Sequence, residues 1–351
     1  MMRMALRAGL AAVAMAVAVA GSAAAASPPK PLFASNDMIH FTLKGPISSL
    51  AQGSPTSEKA VKGTLALQGA APETLPVELS PRGITRRAHD VCAFPPIRVE
   101  FTEKPPAASL FKGQKRLKLV THCRNAPAFQ QYLLLEYAAY KMYNLLTPAS
   151  FNARLATVDY VDDAGKPITT RLGFFIEDAD DMAKRNDLKR LKTQNRVPAA
   201  QLSARDAARF VLFQDMIGNL DWAMTAGPAG TECCHNSRLI GAENATANLI
   251  PVPYDFDFSG MVDAPYATPP AEIPLSSVRV RRYRGFCRHN AEVQAMAPDF
   301  LAHRAAFIAV LDTVPQLEDK TKAKASAYLS GFFDQVATPA DVTKLMAPCL
   351  G

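Results

Sequence analysis

Apolar and polar residues alternate along short runs in the first half of the chain. In the second half they recur every three to four positions along longer ones. Residues 38–43, 64–68, 97–101 and 116–121 each carry the period of two expected of half-buried strands. Pro and Gly punctuate these runs at Gly45, Pro72, Pro81, Pro95, Pro96, Pro105 and Pro106. One helix interrupts them: PAFQQYLLLEYAAYKMYNLL opens on Pro127, a residue favoured in the first helical turn, and is apolar at 129, 132, 133, 137, 140 and 143. Two further strands, 153–160 and 169–176, flank a turn around Gly165.

After Glu177 the period lengthens. Ser203 is placed to cap a helix whose Phe210, Val211, Phe213, Met216 and Ile217 make a buried stripe. Gly218 and Asn219 end it, which leaves Asp221 on the following loop. LIPVPY reads as a strand before Asp255, and helices are expected over 278–286, 291–313 and 319–335. The pattern predicts an α+β chain in two lobes that share a cleft: a β-rich half, 27–176, with one helix, and a mainly helical half, 177–351.

The first 26 residues change the picture by setting the compartment. MMRMALR is a basic head, an apolar run follows from Ala5 to Gly21, and Ala24-Ala25-Ala26 precedes Ser27, so a signal peptide cleaved near Ala26–Ser27 is expected. No later segment has 18 uninterrupted apolar residues, so no membrane span is expected after cleavage, and the protein is expected in the periplasm or secreted. The six cysteines fit that oxidising setting. Cys92 and Cys123, each beside a strand-like run, are the preferred pair; Cys233 or Cys234 is expected to join Cys287 or Cys349. A metal site built from Cys233, Cys234, His235, Cys287 and His289 fits less well, because adjacent cysteines lack the spacing of zinc ligands. A net charge of +7 is mild, and its densest run, Arg279 to Arg288, is expected on a solvated helix face or against phosphate or an acidic partner. No interleaved aromatics support nucleic-acid binding.

The candidate chemistry lies between Met216 and Gly260. Asp221 follows the buried helix, Asn236 comes after a loop, and Asp255 and Asp257 follow the strand. Metal-dependent phosphoryl transfer needs such a set: one carboxylate orients the attacking hydroxyl, while an Asn and further carboxylates hold the cation. Asp221 is therefore the catalytic candidate, and Asn236, Asp255 and Asp257 are candidate ligands of Mg²⁺ or Mn²⁺. On the nucleotide side, Lys118 and Glu136 are candidates for an ion pair that positions phosphates, Glu177 for an adenine contact at the junction of the halves, and Arg82 for a further contact. The plainer alternative makes these residues turn formers, helix caps and solvated strand ends. No Gly-rich phosphate loop or G-x-S-x-G elbow is present, and a paired-carboxylate glycosidase built on Asp221 with Asp255 or Asp257 leaves Asn236 without a role.

Five segments in order resemble the spore coat protein H-like (CotH-like) family of atypical kinases: Arg82-Gly83, the run Phe111 to Lys115, the helix QQYLLLEYAAY, Gly173 to Glu177, and Pro253-Tyr254-Asp255-Phe256-Asp257. The resemblance covers about residues 80–260. It implies a two-lobed protein-kinase-like fold and ATP-dependent phosphorylation of an exported protein acceptor, with Asp221 as the catalytic acid and Asp255 and Asp257 at the metal. A non-catalytic pseudokinase or envelope scaffold that keeps the fold for binding is the alternative. The chain departs from the family where RGNSS becomes RGITR and where Trp222 follows Asp221.

Overall fold

The computed structural model describes residues 28–351, so the signal sequence expected at 1–26 lies outside the described residues. Seven strands form one closed barrel in the order β1 (Ile39–Lys44), β2 (Val61–Leu67), β3 (Glu73–Pro81), β4 (Ile97–Phe101), β5 (Arg116–Val120), β7 (Pro167–Ile176) and β6 (Ala153–Val161). All neighbours are antiparallel except β1 and β6, which run parallel with Phe41 opposite Val158. That parallel seam removes both sheet edges.

The alternation works as expected. In β1, Ile39, Phe41 and Leu43 point inward and are buried, while His40 and Lys44 face out. Together with Leu65, Val77, Leu79, Val99, Leu119 and Phe175 they fill the barrel with its own core.

A second core lies outside the barrel. Helix α2 (Pro127–Asn144) is buried from Leu133 to Tyr143, and it shares one core with α4 (Ala204–Ile217), α5 (Asn290–Ala302), α6 (Arg304–Thr313), α7 (Asp319–Gln335) and α8 (Pro339–Leu345). Val120, Leu155, Leu172 and Phe174 of the barrel strands belong to this same core, so residues on both sides of position 177 share it. Two shorter helices, α1 (Ile47–Gln52) and α3 (Ala179–Arg185), and a three-stranded sheet of β8 (Lys189–Arg190), β9 (Ser237–Gly241) and β10 (Ile250–Pro253) complete the fold.

The expectation of a two-lobed protein-kinase-like fold is thereby overturned: the strands close into a seven-stranded mixed barrel, with eight α-helices among the described residues. Strand β3, which supplies the partner for both β2 and β4, was hidden by Pro76 and Pro81. A second correction concerns 278–286, expected as a helix. It forms a turn at 278–280 and then an irregular strap, with its arginines occupied elsewhere. Arg281 donates to the carbonyls of Asp215 and Met216 at the end of α4, and Arg284 to those of Leu220 and Trp222. The bonds to Asp215 and Met216 reach the last turn of α4, where a helix leaves carbonyls open. The long helix expected over 291–313 is divided into α5 and α6 at His303.

All six cysteines are paired. Cys92–Cys123 is found as expected, but Cys287 pairs with Cys349, which leaves Cys233 and Cys234 to each other. The two long-range bridges are consistent with an exported protein, and no helix among the described residues is long and apolar enough to cross a membrane. The Cys92–Cys123 bridge closes 31 residues between the segment after β3 and the end of β5. Replacing both cysteines by Ser is expected to cost about 3–4 kcal/mol by loop entropy, measured by urea denaturation. A loss below about 1 kcal/mol would show that the loop is held by its hydrogen bonds alone.

Candidate functional site

A cleft of about 640 Å³ is lined by the ends of β3, β4 and β5 on one side and by the loops after α4, before β9 and after β10 on the other. Each wall has a local cause. Helix α4 starts on Ser203, whose hydroxyl accepts the Asp206 N–H, and ends on Gly218 in the left-handed conformation. A Cβ at Gly218 would lie 1.9 Å from the Tyr328 hydroxyl, so glycine is required there for space as well as for backbone conformation. The chain then turns through Asn219, whose side-chain oxygen accepts the Asp221 N–H at 3.1 Å, while the Trp222 indole donates to the Asn219 carbonyl at 2.8 Å. Asp221 is held by its neighbours on both sides.

The β9–β10 hairpin brings the other acids. Ser237 pairs with Pro253, so Asn236 and Tyr254 meet across the strand ends, and the Tyr254 N–H donates to the Asn236 carbonyl at 3.2 Å. Asn236 (φ 47°) and Asp255 (φ 66°) both adopt the left-handed conformation, which Asn and Asp tolerate better than other non-glycine residues. In that conformation Asp255 turns back toward α2, and its N–H donates to the Tyr140 hydroxyl at 2.9 Å.

Two polar clusters result. In the first, both carboxylate oxygens of Asp221 accept hydrogen bonds, one from His235 Nε2 at 2.7 Å and one from Asn236 Nδ2 at 2.9 Å. The bond to Asp221, opposed by burial, holds the His235 imidazole above its ordinary pKa. In the second, carboxylate oxygens of Glu136, Asp255 and Asp257 lie within 4.8 Å of one another. Buried Arg86 sits among them, with nitrogens 3.5 Å from Glu136, 3.5 Å from Asp255 and 3.2 Å from Asp257. Burial, with the neighbouring Asp255 charge added, pushes Asp257 up to about 6 even though Arg86 opposes the shift. Burial likewise drives Glu136 well above the usual carboxylate range.

This donor set fits a hard divalent cation. All three donors are carboxylates, and Glu136 Oε1 is buried without a hydrogen-bond partner.

A cationic wall faces these acids. Lys118 on β5 lies 4.6 Å from the centre of the Tyr254 ring, and Arg238 on β9 lies 4.7 Å from it on the same ring. Burial first, then the charges of Arg82 and Arg238, lower the Lys118 ammonium to about 7. Arg82 and Arg98 complete that wall.

Of the residues expected from sequence, Arg82, Lys118, Asp221, Asn236, Asp255 and Asp257 all line this one cleft. Asn236 contacts Asp221, while Glu136, expected on the nucleotide side, stands with the two aspartates. The pairing of Lys118 with Glu136 is not formed, because Arg86 takes Glu136. Glu177 does not line the cleft: it is buried, ion-paired to Arg185 at 3.0 Å, and accepts the Asn152 N–H. Sequence reasoning missed Arg86 and Arg238 as site residues and named His235 only for a disfavoured metal site. The signal for Arg86 was the second basic residue of the Arg82–Arg86 turn, and that for His235 was its position beside Asn236.

No protein-family model matches the chain, and no curated protein matches it.

Proposed function

We propose that the protein is an exported phosphotransferase that uses ATP with Mg²⁺ or Mn²⁺ and modifies a hydroxyl of a protein acceptor, on a closed-barrel scaffold. One observation carries the reading: six residues picked from sequence for this chemistry, from Arg82 to Asp257, line the same cleft.

In this reading Arg82, Lys118 and Arg238 receive the phosphates, whose negative charge offsets the mutual repulsion of those cations. A cation held by Glu136, Asp255 and Asp257 would neutralise charge on the transferred group. The acceptor oxygen forms its bond to the terminal phosphorus, the phosphorus–oxygen bond to ADP breaks, and the hydroxyl proton leaves toward the Asp221 carboxylate. Each Asp221 oxygen accepts one hydrogen bond within the protein and keeps a lone pair for that hydroxyl.

Titration of ATP with and without Mg²⁺, against the wild type and the Asp255→Ala and Asp257→Ala variants, tests the reading. Wild type is expected to bind ATP at least tenfold more tightly with Mg²⁺, and each variant to lose that enhancement. Equal affinity in all arms would sink the metal-dependent reading. It would favour a non-catalytic binding module, a reading to which the ion pairs from Arg86 to all three carboxylates also point.

A further inference from the structure

Four cations line the cleft with no acid to pair with. Among the described residues, Arg82, Arg98, Lys118 and Arg238 form no ion pair, because the nearby acids are taken: Glu136, Asp255 and Asp257 by Arg86, and Asp178 by Arg116.

The fold itself sets this crowding. Arg98 on β4 stands directly opposite Lys118 on β5 in the antiparallel register, each on the outward face of its strand. Opposite residues have Cβ atoms about 5 Å apart, where like charges repel. The Arg82 N–H donates to the Pro96 carbonyl at 2.9 Å, which brings the end of β3 beside the start of β4. From the other wall, Arg238 lies over the Tyr254 ring that Lys118 also approaches, and its guanidinium donates to the carbonyls of Cys234 and Ser237.

Lys118 differs in kind from the three arginines. It is the one lysine in the cleft among the described residues. A guanidinium stays protonated, whereas an ammonium can give up its proton and become a nucleophile. The Lys118 side chain is half-buried, and its Nζ is not among the unpartnered polar atoms closed off from solvent. Burial, then the charges of Arg82 and Arg238, bring the ammonium down to about 7, an effect that Asp255 and Asp178 only partly oppose. Much of it is therefore neutral amine near neutral pH.

We propose that Lys118 is a covalent site for small aldehydes that carry a phosphate group: the amine captures the carbonyl carbon as an imine while Arg82, Arg98 and Arg238 hold the phosphate. The Nζ–carbon bond forms, the carbonyl oxygen leaves as water with the two amine protons, and nothing is oxidised or reduced. The face of Tyr254, with Pro96 beside it in the lining, gives a flat carbon skeleton an apolar surface to lie on. Capture needs neither nucleotide nor metal, so it goes beyond the phosphotransfer reading and does not rest on it.

The test uses the mature chain at pH 7.5 with pyridoxal 5′-phosphate as the probe. Borohydride reduction fixes the imine, and peptide mass spectrometry locates it. Lys118 is expected to react at least about tenfold faster than any other lysine, because ordinary lysines are almost wholly protonated there. Pyridoxal, which lacks the phosphate, should show no such preference, and inorganic phosphate should suppress the reaction at Lys118. Arg82→Gln should slow it by about tenfold, the loss of one charged hydrogen-bond donor. Lys118→Arg should leave only the background of the other lysines. The proposal is overturned if wild-type Lys118 reacts no faster than the other lysines, or if pyridoxal shows the same preference for it. Both outcomes are read on the wild type, so neither depends on a variant that folds. ATP affinity measured on the same preparation keeps the two readings apart. Selective labelling without ATP binding removes the phosphotransferase and leaves the imine site, and ATP binding without selective labelling does the reverse.

Discussion

Asp221→Asn is expected to lower phosphate transfer by about 10²- to 10⁴-fold, the range of a positioned general base, while ATP affinity stays within a factor of a few. The side chain is 30% exposed in the cleft, and its carboxylate is organised by His235 and Asn236 rather than by the acidic cluster around Arg86. Removing its charge should therefore leave any cation at Glu136, Asp255 and Asp257 in place. In the variant the amide oxygen can still accept the Asn236 amide, while its NH₂ faces His235 Nε2, which must become a neutral acceptor to keep that contact.

A second readout separates chemistry from structure in that experiment. The bond to Asp221 raises the His235 imidazole, so its pKa, followed by NMR, should fall in the variant. In the wild type the raised pKa means that the His235–Asp221 pair stabilises the fold fully below the unfolded value of about 6.5. That contribution is lost as pH rises through the folded pKa. The variant should lose this slope. If Asp221 only shapes the turn, the His235 shift and a stability loss near 1 kcal/mol will appear while transfer in the folded fraction is unchanged. Transfer assayed with labelled ATP on the same preparation distinguishes the two. A wild type that transfers phosphate to no acceptor, itself included, removes the enzyme reading altogether.

Much of the local structure was legible in the sequence, because it is set by neighbours along the chain. Alternation located β1, β2, β4, β5, β6 and β7 to within a few residues, and Pro127, Ser203 and Gly218 marked helix ends where the structure has them. The closure of the barrel was not legible. It depends on which strand β1 meets, and a parallel partner more than a hundred residues away leaves no local pattern. The same limit explains Arg86. The candidate acids could be read from 255–257, but not which cation would lie among them, since Arg86 is 169 positions from Asp255. It also explains Glu177. A glutamate at a strand end resembles a ligand contact until Arg185, one short helix later, is seen to bury it. The basic run before α5 misled for the opposite reason: its charges look solvated in one dimension, yet they bind carbonyls of α4 and the loop after it.

Arg86→Gln is expected to destabilise the metal-free protein by about 3–5 kcal/mol, because it removes the one cation among three clustered carboxylates, two of them buried. If those carboxylates hold Mg²⁺ or Mn²⁺, the lost charge can be supplied from solution. Stability should then return with metal concentration, by about 2.7 kcal/mol at a hundredfold excess over Kd. The variant should respond more strongly than the wild type, in which the guanidinium competes with the ion. The pH dependence has a definite sign. Asp257 binds its proton more tightly folded, at about 6, than unfolded, at about 4, so the metal-free protein loses stability from this group as pH rises across that interval. A bound cation favours the ionised carboxylate and reverses the slope. Denaturant titrations of the variant at pH 5 and pH 7.5, with and without 10 mM MgCl₂, therefore read charge and metal separately. An unfolding midpoint of Arg86→Gln that is indifferent to both Mg²⁺ and Mn²⁺ at pH 7.5 would mean that the cluster exists to hold Arg86. The cleft would then be a binding surface for anions rather than a site of transfer.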